Sequence, residues 1–380
     1  MEYDKRTPCG SRRVSRRGGS EQSAAGLLGY DGWVDAEFPT IPLQDAPTPV
    51  PEPTHEPPWN GIELSLLVMF TVLAIGVATV ITFLLWAIAV RALGPRFPHG
   101  PEVALVWTSL VGQALGMAIA FALAWAWLAR TRGVRFWRAI HWRGLKIESA
   151  LGLLVGGVVL AIAGQAAGHF LPMPTDVPMD RLFTPQTAWI LLVYGVAIAP
   201  FFEEFFFRGL LYPTLLVTFG EGFTRDELRA WRPLARAGAA LALLAVIYWR
   251  FRQRVLAFVP FSWISWLTLI ELALLAVIIN PDWLLSIVRF VVNWLAGWKH
   301  PQLLAILVTG YLFGMMHAAQ LGGAWAAVLV LVLVGVALTA VRAASGSVMA
   351  SWLVHCAYNG TLFAAQYVST QGFHNFQGLH

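Results

Sequence analysis

Two adjacent carboxylates and a guanidinium stand in the middle of an apolar segment, in the stretch Pro200-Phe201-Phe202-Glu203-Glu204-Phe205-Phe206-Phe207-Arg208. Each such charge, unpaired at the centre of a bilayer, costs ~2.5–3.5 kcal/mol on insertion scales, so three of them threaten insertion of a helix. On a helix Glu204 and Arg208 fall at i and i+4 with the acid first, the favourable order for a pair on one face. Glu203 is turned about a hundred degrees from Glu204, so the pair leaves one carboxylate over. A spare carboxylate among phenylalanines suits a general base. It equally fits a proton relay, an ion site or a buried structural network, and this stretch alone does not choose between them.

Two later stretches add histidine. In Tyr311-Leu312-Phe313-Gly314-Met315-Met316-His317 helical spacing puts Phe313 and His317 on one face, and in His355-Cys356-Ala357-Tyr358-Asn359 it does the same for His355 and Asn359. One histidine on an apolar helix is usually a satisfied core residue. Two such helices converging on a spare carboxylate supply a base, an orienting partner and donors for a developing oxyanion.

Taken together, Glu203-Glu204-x-x-x-Arg208, Phe313-x-x-x-His317 and His355-x-x-x-Asn359 resemble the three-motif signature of the CAAX prenyl protease and bacteriocin-processing family (CPBP, or Abi), which are intramembrane endopeptidases. The likeness runs on through Arg208-Gly209-Leu210-Leu211-Tyr212-Pro213 and covers residues 195–219 and 303–368. It implies that Glu203 activates a water with help from His317, and that His355 and Asn359 support the tetrahedral intermediate. Glu204, Arg208 and Phe313 then brace the site. The mechanism adopted is the metal-free glutamate one, with no cofactor. The alternative is zinc held by Glu203, His317 and His355, a His₂Glu set, although the chain has no His-Glu-x-x-His helix. The implied substrate is a membrane-associated peptide or protein, with a CAAX-type prenylated one suggested by the family's name. Two other functions compete. A proton- or cation-coupled transporter predicts internal repeats and paired broken helices, and Pro200 marks a single broken one. A non-proteolytic bacteriocin-immunity membrane protein has no need of the intact motif residues.

The elements that position these residues are helical and apolar. Of 380 residues 57% are hydrophobic, 12% are charged and 18 are tryptophan, whereas ordinary soluble domains carry about a quarter charged residues. The fold class expected is all-α, a polytopic membrane helix bundle of about eight to nine spans. No segment alternates like a barrel strand. The net charge of +5 sits in arginine-rich flanks, which points to lipid headgroups and topology and away from nucleic acid. Cys9 and Cys356 lie in a polar tail and an apolar helix, so neither a disulfide nor a cysteine metal motif is expected. Apolar character begins after residue 60, too late for a cleaved signal peptide.

Residues 1–60 read as a disordered basic and proline-rich cytoplasmic tail. Residues 61–146 hold two spans, about Ile62–Val90 and Val103–Leu128, followed by a basic loop from Arg130 to Lys146. Residues 147–370 form the protease-like core, with an inserted helical segment at 237–300. Core spans are expected near Ala150–Phe170, Ala188–Phe219, Pro301–Gln320, Ala324–Val341 and Val348–Val368, with a kink just before Pro200 and a loop from Gly220 to Arg236. Gln165 and His169 are expected to hydrogen-bond between helices. In the insertion, runs at Ala237–Tyr248 and Leu256–Ile279 flank Arg250, Arg252 and Arg254, in tension with the positive-inside rule. Asp282, Ser286, Arg289 and Asn293 form a polar stripe beside Trp283, Trp294 and Trp298, which reads as an interfacial helix. An even number of crossings in the insertion keeps the His317 helix in its orientation. The chain is expected to be an integral multi-pass protein of a bacterial cytoplasmic membrane, N-terminus inside.

Overall fold

The computed structural model describes residues 57–94, 101–173, 180–255 and 261–376. The expected tail at 1–60 lies outside these residues except for its last four. Those four belong to the folded body: Trp59 is buried and its indole N–H donates to Thr214 Oγ1 at 2.9 Å.

Among the described residues every regular element is helical. In chain order they are α1 (Gly61–Leu93), α2 (Pro101–Thr131), the single turn α3 (Phe136–Ala139), α4 (Ile147–His169), a 3₁₀ turn at Asp180–Leu182, α5 (Ala188–Glu221), α6 (Arg225–Val255), α7 (Phe261–Ile279), α8 (Asp282–Ala296), α9 (Pro301–Met316), α10 (Trp325–Ser345) and α11 (Val348–Ser369). Six of them are long and apolar enough to cross a membrane, or seven if the bent α7–α8 pair counts as one span. Eight to nine were expected. The difference falls on the motif helices: α9 has only 16 residues, about 24 Å against a hydrocarbon core of about 30 Å, and α11 carries His355, Asn359 and Gln366.

Local chemistry fixes the starts of α1 and α6. Asn60 and Glu63 form a capping box, each side chain accepting from the other's backbone N–H, and Thr224 with Glu227 does the same. The loop expected from Gly220 to Arg236 is therefore mostly helix. Arg225, Arg229, Arg232 and Arg236 lie in the first three turns of α6, and the same helix runs on through Arg250, Arg252 and Arg254. At the other end of the molecule Gln165 and His169 share the exposed end of α4 and make no interhelical hydrogen bond among the described residues.

α1 and α2 pair along their lengths, and Arg132 closes the pair with an ion pair to Glu63, so the hairpin begins and ends on one side. The phenylalanine run of α5 serves two cores at once. Phe205 packs with Leu128, Phe136 and Ile140 of the α2–α3 region, while Phe207 packs with Phe313, Val334, Leu338 and Val354 of α9, α10 and α11. α4 lies against α11, where Gly157 faces the carbonyl of Val354. α9 and α10 approach most closely at Gly310 and Gly314, where an added Cβ would run into the backbones of Val336 and Val332. Small residues four apart are the usual means of bringing two membrane helices together.

Gly314→Ala should therefore cost about 1–3 kcal/mol through overpacking and lower the thermal midpoint of the purified protein. Gly76→Ala meets nothing within 4 Å and should leave the midpoint unchanged or raised, since alanine is the better helix former. Equal midpoints for the two variants would refute the close α9–α10 contact.

Candidate active site

α5 is not a plain α-helix. Two π-helical stretches, Tyr194–Ile198 and Phe205–Leu211, interrupt it, and each leads into a proline, Pro200 and Pro213. A proline has no N–H to give and its ring crowds the carbonyl four residues back. Widening the preceding turn is the local response, in place of the simple kink expected at Pro200. In the first stretch Ala199 N–H donates to Tyr194 O, five residues back. The next such bond would run from Pro200 to Gly195 O, and Pro200 cannot make it. Asn359 of α11 takes that carbonyl instead, its Nδ2 donating to Gly195 O at 2.7 Å. The second stretch repeats the pattern. Tyr212 N–H donates to Phe207 O, Pro213 leaves Arg208 O without its i+5 donor, and Arg342 Nε of α10 donates to it at 3.3 Å.

The charged residues lie between these two repairs. Glu204 and Arg208 are fully buried and pair at 2.8 Å, Nη1 to Oε1. Arg208 Nη2 donates to Gly335 O at 2.9 Å and Nε to Thr339 Oγ1 at 3.3 Å. Its guanidinium carbon also lies 4.6 Å from the centre of the Phe313 ring, within cation–π range. Glu204 Oε1 has a second donor, His355 Nδ1, at 3.0 Å. A carboxylate can only accept, so His355 carries its hydrogen on Nδ1 and turns Nε2 the other way. His317 is oriented by the same logic. Its Nδ1 meets Phe313 O at 2.9 Å, a carbonyl that can only accept, and its Nε2 points away from its own helix.

Both Nε2 atoms face Glu203. His317 Nε2 lies 3.8 Å from Oε1 and His355 Nε2 lies 3.7 Å from Oε2. These gaps are too long for direct hydrogen bonds and are of the size that a shared water closes. Glu203 and His317 side chains each keep 17% of their surface exposed, whereas His355 and Glu204 are sealed. The structure thus brings Glu203, Glu204, Arg208, Phe313, His317 and His355 together. It commits Asn359 to the backbone of the first π stretch. Thr339, Gly335 and Arg342 complete the setting and were not foreseen. Nothing in their spacing marks them, although Pro200 and Pro213 are a readable sign that two carbonyls need outside donors.

The donor types of Glu203, His317 and His355 are those of a zinc site, but their arrangement is not. A tetrahedron with bonds of about 2.0–2.1 Å sets its ligand atoms about 3.3–3.4 Å apart, closer than either separation seen. Among the described residues no group of three His, Cys, Asp or Glu side chains is arranged to hold a metal ion.

The fold is that of an integral membrane protein built of helices. A family model described as type II CAAX prenyl endopeptidase Rce1-like matches residues 283–361, from α8 into α11, and supports a hydrolase of the protease kind. That match spans 79 of the chain's 380 residues. The matched stretch takes in Phe313, His317, His355 and Asn359, while Glu203, Glu204 and Arg208 precede it. No curated protein and no solved structure matches the chain.

The carbonyl repair makes a definite prediction. Asn359→Ala strands the half-buried Gly195 carbonyl and should lower stability by about 1–3 kcal/mol. Pro200→Ala restores a backbone N–H, so Asn359→Ala should cost clearly less in that background. A double-mutant cycle on thermal or denaturant unfolding measures the coupling, and a cycle that sums to zero would refute the link. Arg208→Ala strands Glu204 and should cost about 3–5 kcal/mol, whereas Glu203→Gln, which breaks no direct bond, should leave the unfolding midpoint nearly unmoved.

Proposed function

We propose that the protein is an intramembrane endopeptidase that hydrolyses a peptide bond of a membrane-associated substrate by a metal-free glutamate mechanism. The observation that carries this reading is the approach of two imidazole Nε2 atoms to the two oxygens of one partly exposed carboxylate. A water held among them donates one hydrogen to Glu203 and another to an Nε2 lone pair. Glu203 takes the proton as the water oxygen attacks the carbonyl carbon, which is general base catalysis, with His317 steadying the water. The carbonyl oxygen becomes the oxyanion. His355, held by Glu204 through Nδ1, turns Nε2 toward that charge, and a second proton taken up there gives it an N–H to donate. An amide nitrogen has two N–H donors. Asn359 spends one on Gly195 O, and the other serves the oxyanion. Collapse of the intermediate passes the proton from Glu203 to the leaving amine. Glu204 and Arg208 brace the site from beneath.

The description of the matched family points to a CAAX-type prenylated C terminus as the substrate class. The position of the site suits a bond near the membrane surface. Phe201, two residues before Glu203, packs against Trp142 at 5.5 Å, and Trp142 belongs to the basic loop from Arg130 to Lys146. By the positive-inside rule that loop is cytoplasmic, which puts the N-terminus and the site toward the cytoplasmic leaflet.

Glu203→Gln and Glu203→Ala should each reduce cleavage about 10²–10⁴-fold while the purified protein keeps its elution volume and melting point. Comparing the membrane peptidomes of cells carrying wild type or Glu203→Ala tests this and reveals substrates. Fragments present at equal levels in both would overturn the assignment. Proton-coupled flux into liposomes by wild type and Glu203→Gln alike would favour a transporter in its place.

A further inference from the structure

α8 wears its amphipathic character inside out for a helix bathed in water. The two ends of its polar stripe are spent on the protein. Asp282 accepts two hydrogen bonds from Arg232 of α6, at 2.6 and 2.8 Å. Asn293 accepts from Phe223 N–H at 2.7 Å and donates to Phe223 O at 3.2 Å, directly beyond the end of α5. Gly222, at φ +74°, leaves room there for the Asn293 amide, which a Cβ would meet. Leu285 is buried against the body. On the opposite side Trp283, Ile287, Phe290 and Trp294, spaced by 4, 3 and 4, form one uncovered apolar stripe in which Phe290 is 73% exposed and Trp294 59%.

Two further facts select what covers that stripe. The helix leaves α7 through a bend of 93°, and α7 itself shows exposed Leu269, Leu272, Leu275 and Ile279, so the two apolar surfaces are continuous around the corner. The stripe also begins and ends in tryptophan, the residue that favours the boundary between headgroups and acyl chains. We infer that α8 lies in the plane of the membrane with the Trp283–Ile287–Phe290–Trp294 stripe against lipid and the Ser286–Arg289 middle of the polar flank toward the headgroups. α8 then makes no crossing. α6 and α7 form a hairpin that returns the chain to its starting side, and α9 enters with the orientation His317 requires. Because Asn293 grips the residue after α5 and Gly222, the depth of α8 also sets the depth of the helix bearing Glu203. This inference does not use the peptidase reading and is tested apart from it.

The test uses the full chain with Cys9→Ser and Cys356→Ala, and a single nitroxide-labelled cysteine at Trp283, Ser286, Ile287, Phe290 or Trp294, reconstituted in phosphatidylcholine vesicles. Relaxation by oxygen should exceed relaxation by a water-soluble nickel chelate at 287 and 290, with the order reversed at 286. Labels at 283 and 294 should report the same depth. Nickel-dominated relaxation at 287 and 290 overturns the proposal by putting the stripe in water. Exclusion of both reagents with dipolar broadening overturns it in favour of a second copy of the chain. Depths at 283 and 294 differing by about 16 Å, the length of eleven helical residues, overturn it in favour of a crossing.

Discussion

One carboxylate oxygen holds the site together. Glu204 Oε1 receives Arg208 of its own helix and His355 of α11, and Arg208 passes the connection to Gly335 and Thr339 of α10. Three helices are thus tied at a point with no exposed surface. A buried ion pair is a weak source of stability, because taking two charges out of water costs about as much as their attraction returns, and apolar replacements of similar volume often do as well. Removing one partner alone is the damaging change. The pair is better understood through geometry. By accepting from Nδ1 it decides which way the His355 ring turns, and so where Nε2 points. An apolar pair in its place would fill the same volume and leave the imidazole free to rotate.

The two prolines explain why that point can sit inside an apolar helix. Each forces a widened turn before it and each leaves one carbonyl without a donor, at Gly195 and at Arg208. In water such groups would be hydrated. In hydrocarbon they must find protein partners, since an unsatisfied backbone group there costs several kcal/mol. Asn359 and Arg342 supply the donors from α11 and α10, so the defects in α5 become its attachment points to the two helices that flank the site. Phe205 and Phe207, two residues apart and so on nearly opposite sides of the helix, serve different cores.

Much of this was legible in the sequence because it rests on short-range spacing. The i, i+4 separation of Glu204 and Arg208 names the pair, and with it the left-over carboxylate of Glu203. That His355 lies within one apolar helix follows from the length of its run, whereas the run at Pro301–Gln320 ends as helix at Met316 and leaves His317 as its C-cap. What escaped depends on contacts far apart in the chain or on departures from 3.6 residues per turn. Thr339 and Gly335 look like any small residues of a membrane helix, and only the fold brings them to Arg208. Asn359 looked free to face substrate, and its bond to Gly195 follows from a π turn more than a hundred and fifty residues away. The start of α6 is a different kind of miss: Thr224-x-x-Glu227 is a capping box that was there to be read, and the arginines after it drew the segment toward a loop.

The polar groups around Glu203 also explain why the site needs a guest. Glu204 and Arg208 are committed to each other, Nδ1 of His355 to Glu204, Nδ1 of His317 to Phe313 O, and one N–H of Asn359 to Gly195 O. What remains free to meet in the shared space is the Glu203 carboxylate and two Nε2 atoms, which in the neutral rings are lone pairs. Three acceptors facing one another at 3.7–3.8 Å repel unless something donates to them. A proton on one ring or a molecule with two O–H bonds relieves the repulsion, and water offers both donors at once. Being already oriented by partners outside the space, the two imidazoles need not reorganise when a proton moves, and preorganisation of this kind is what makes polar groups effective in a low-dielectric site. The cluster is thus complementary to a small molecule that carries two O–H donors.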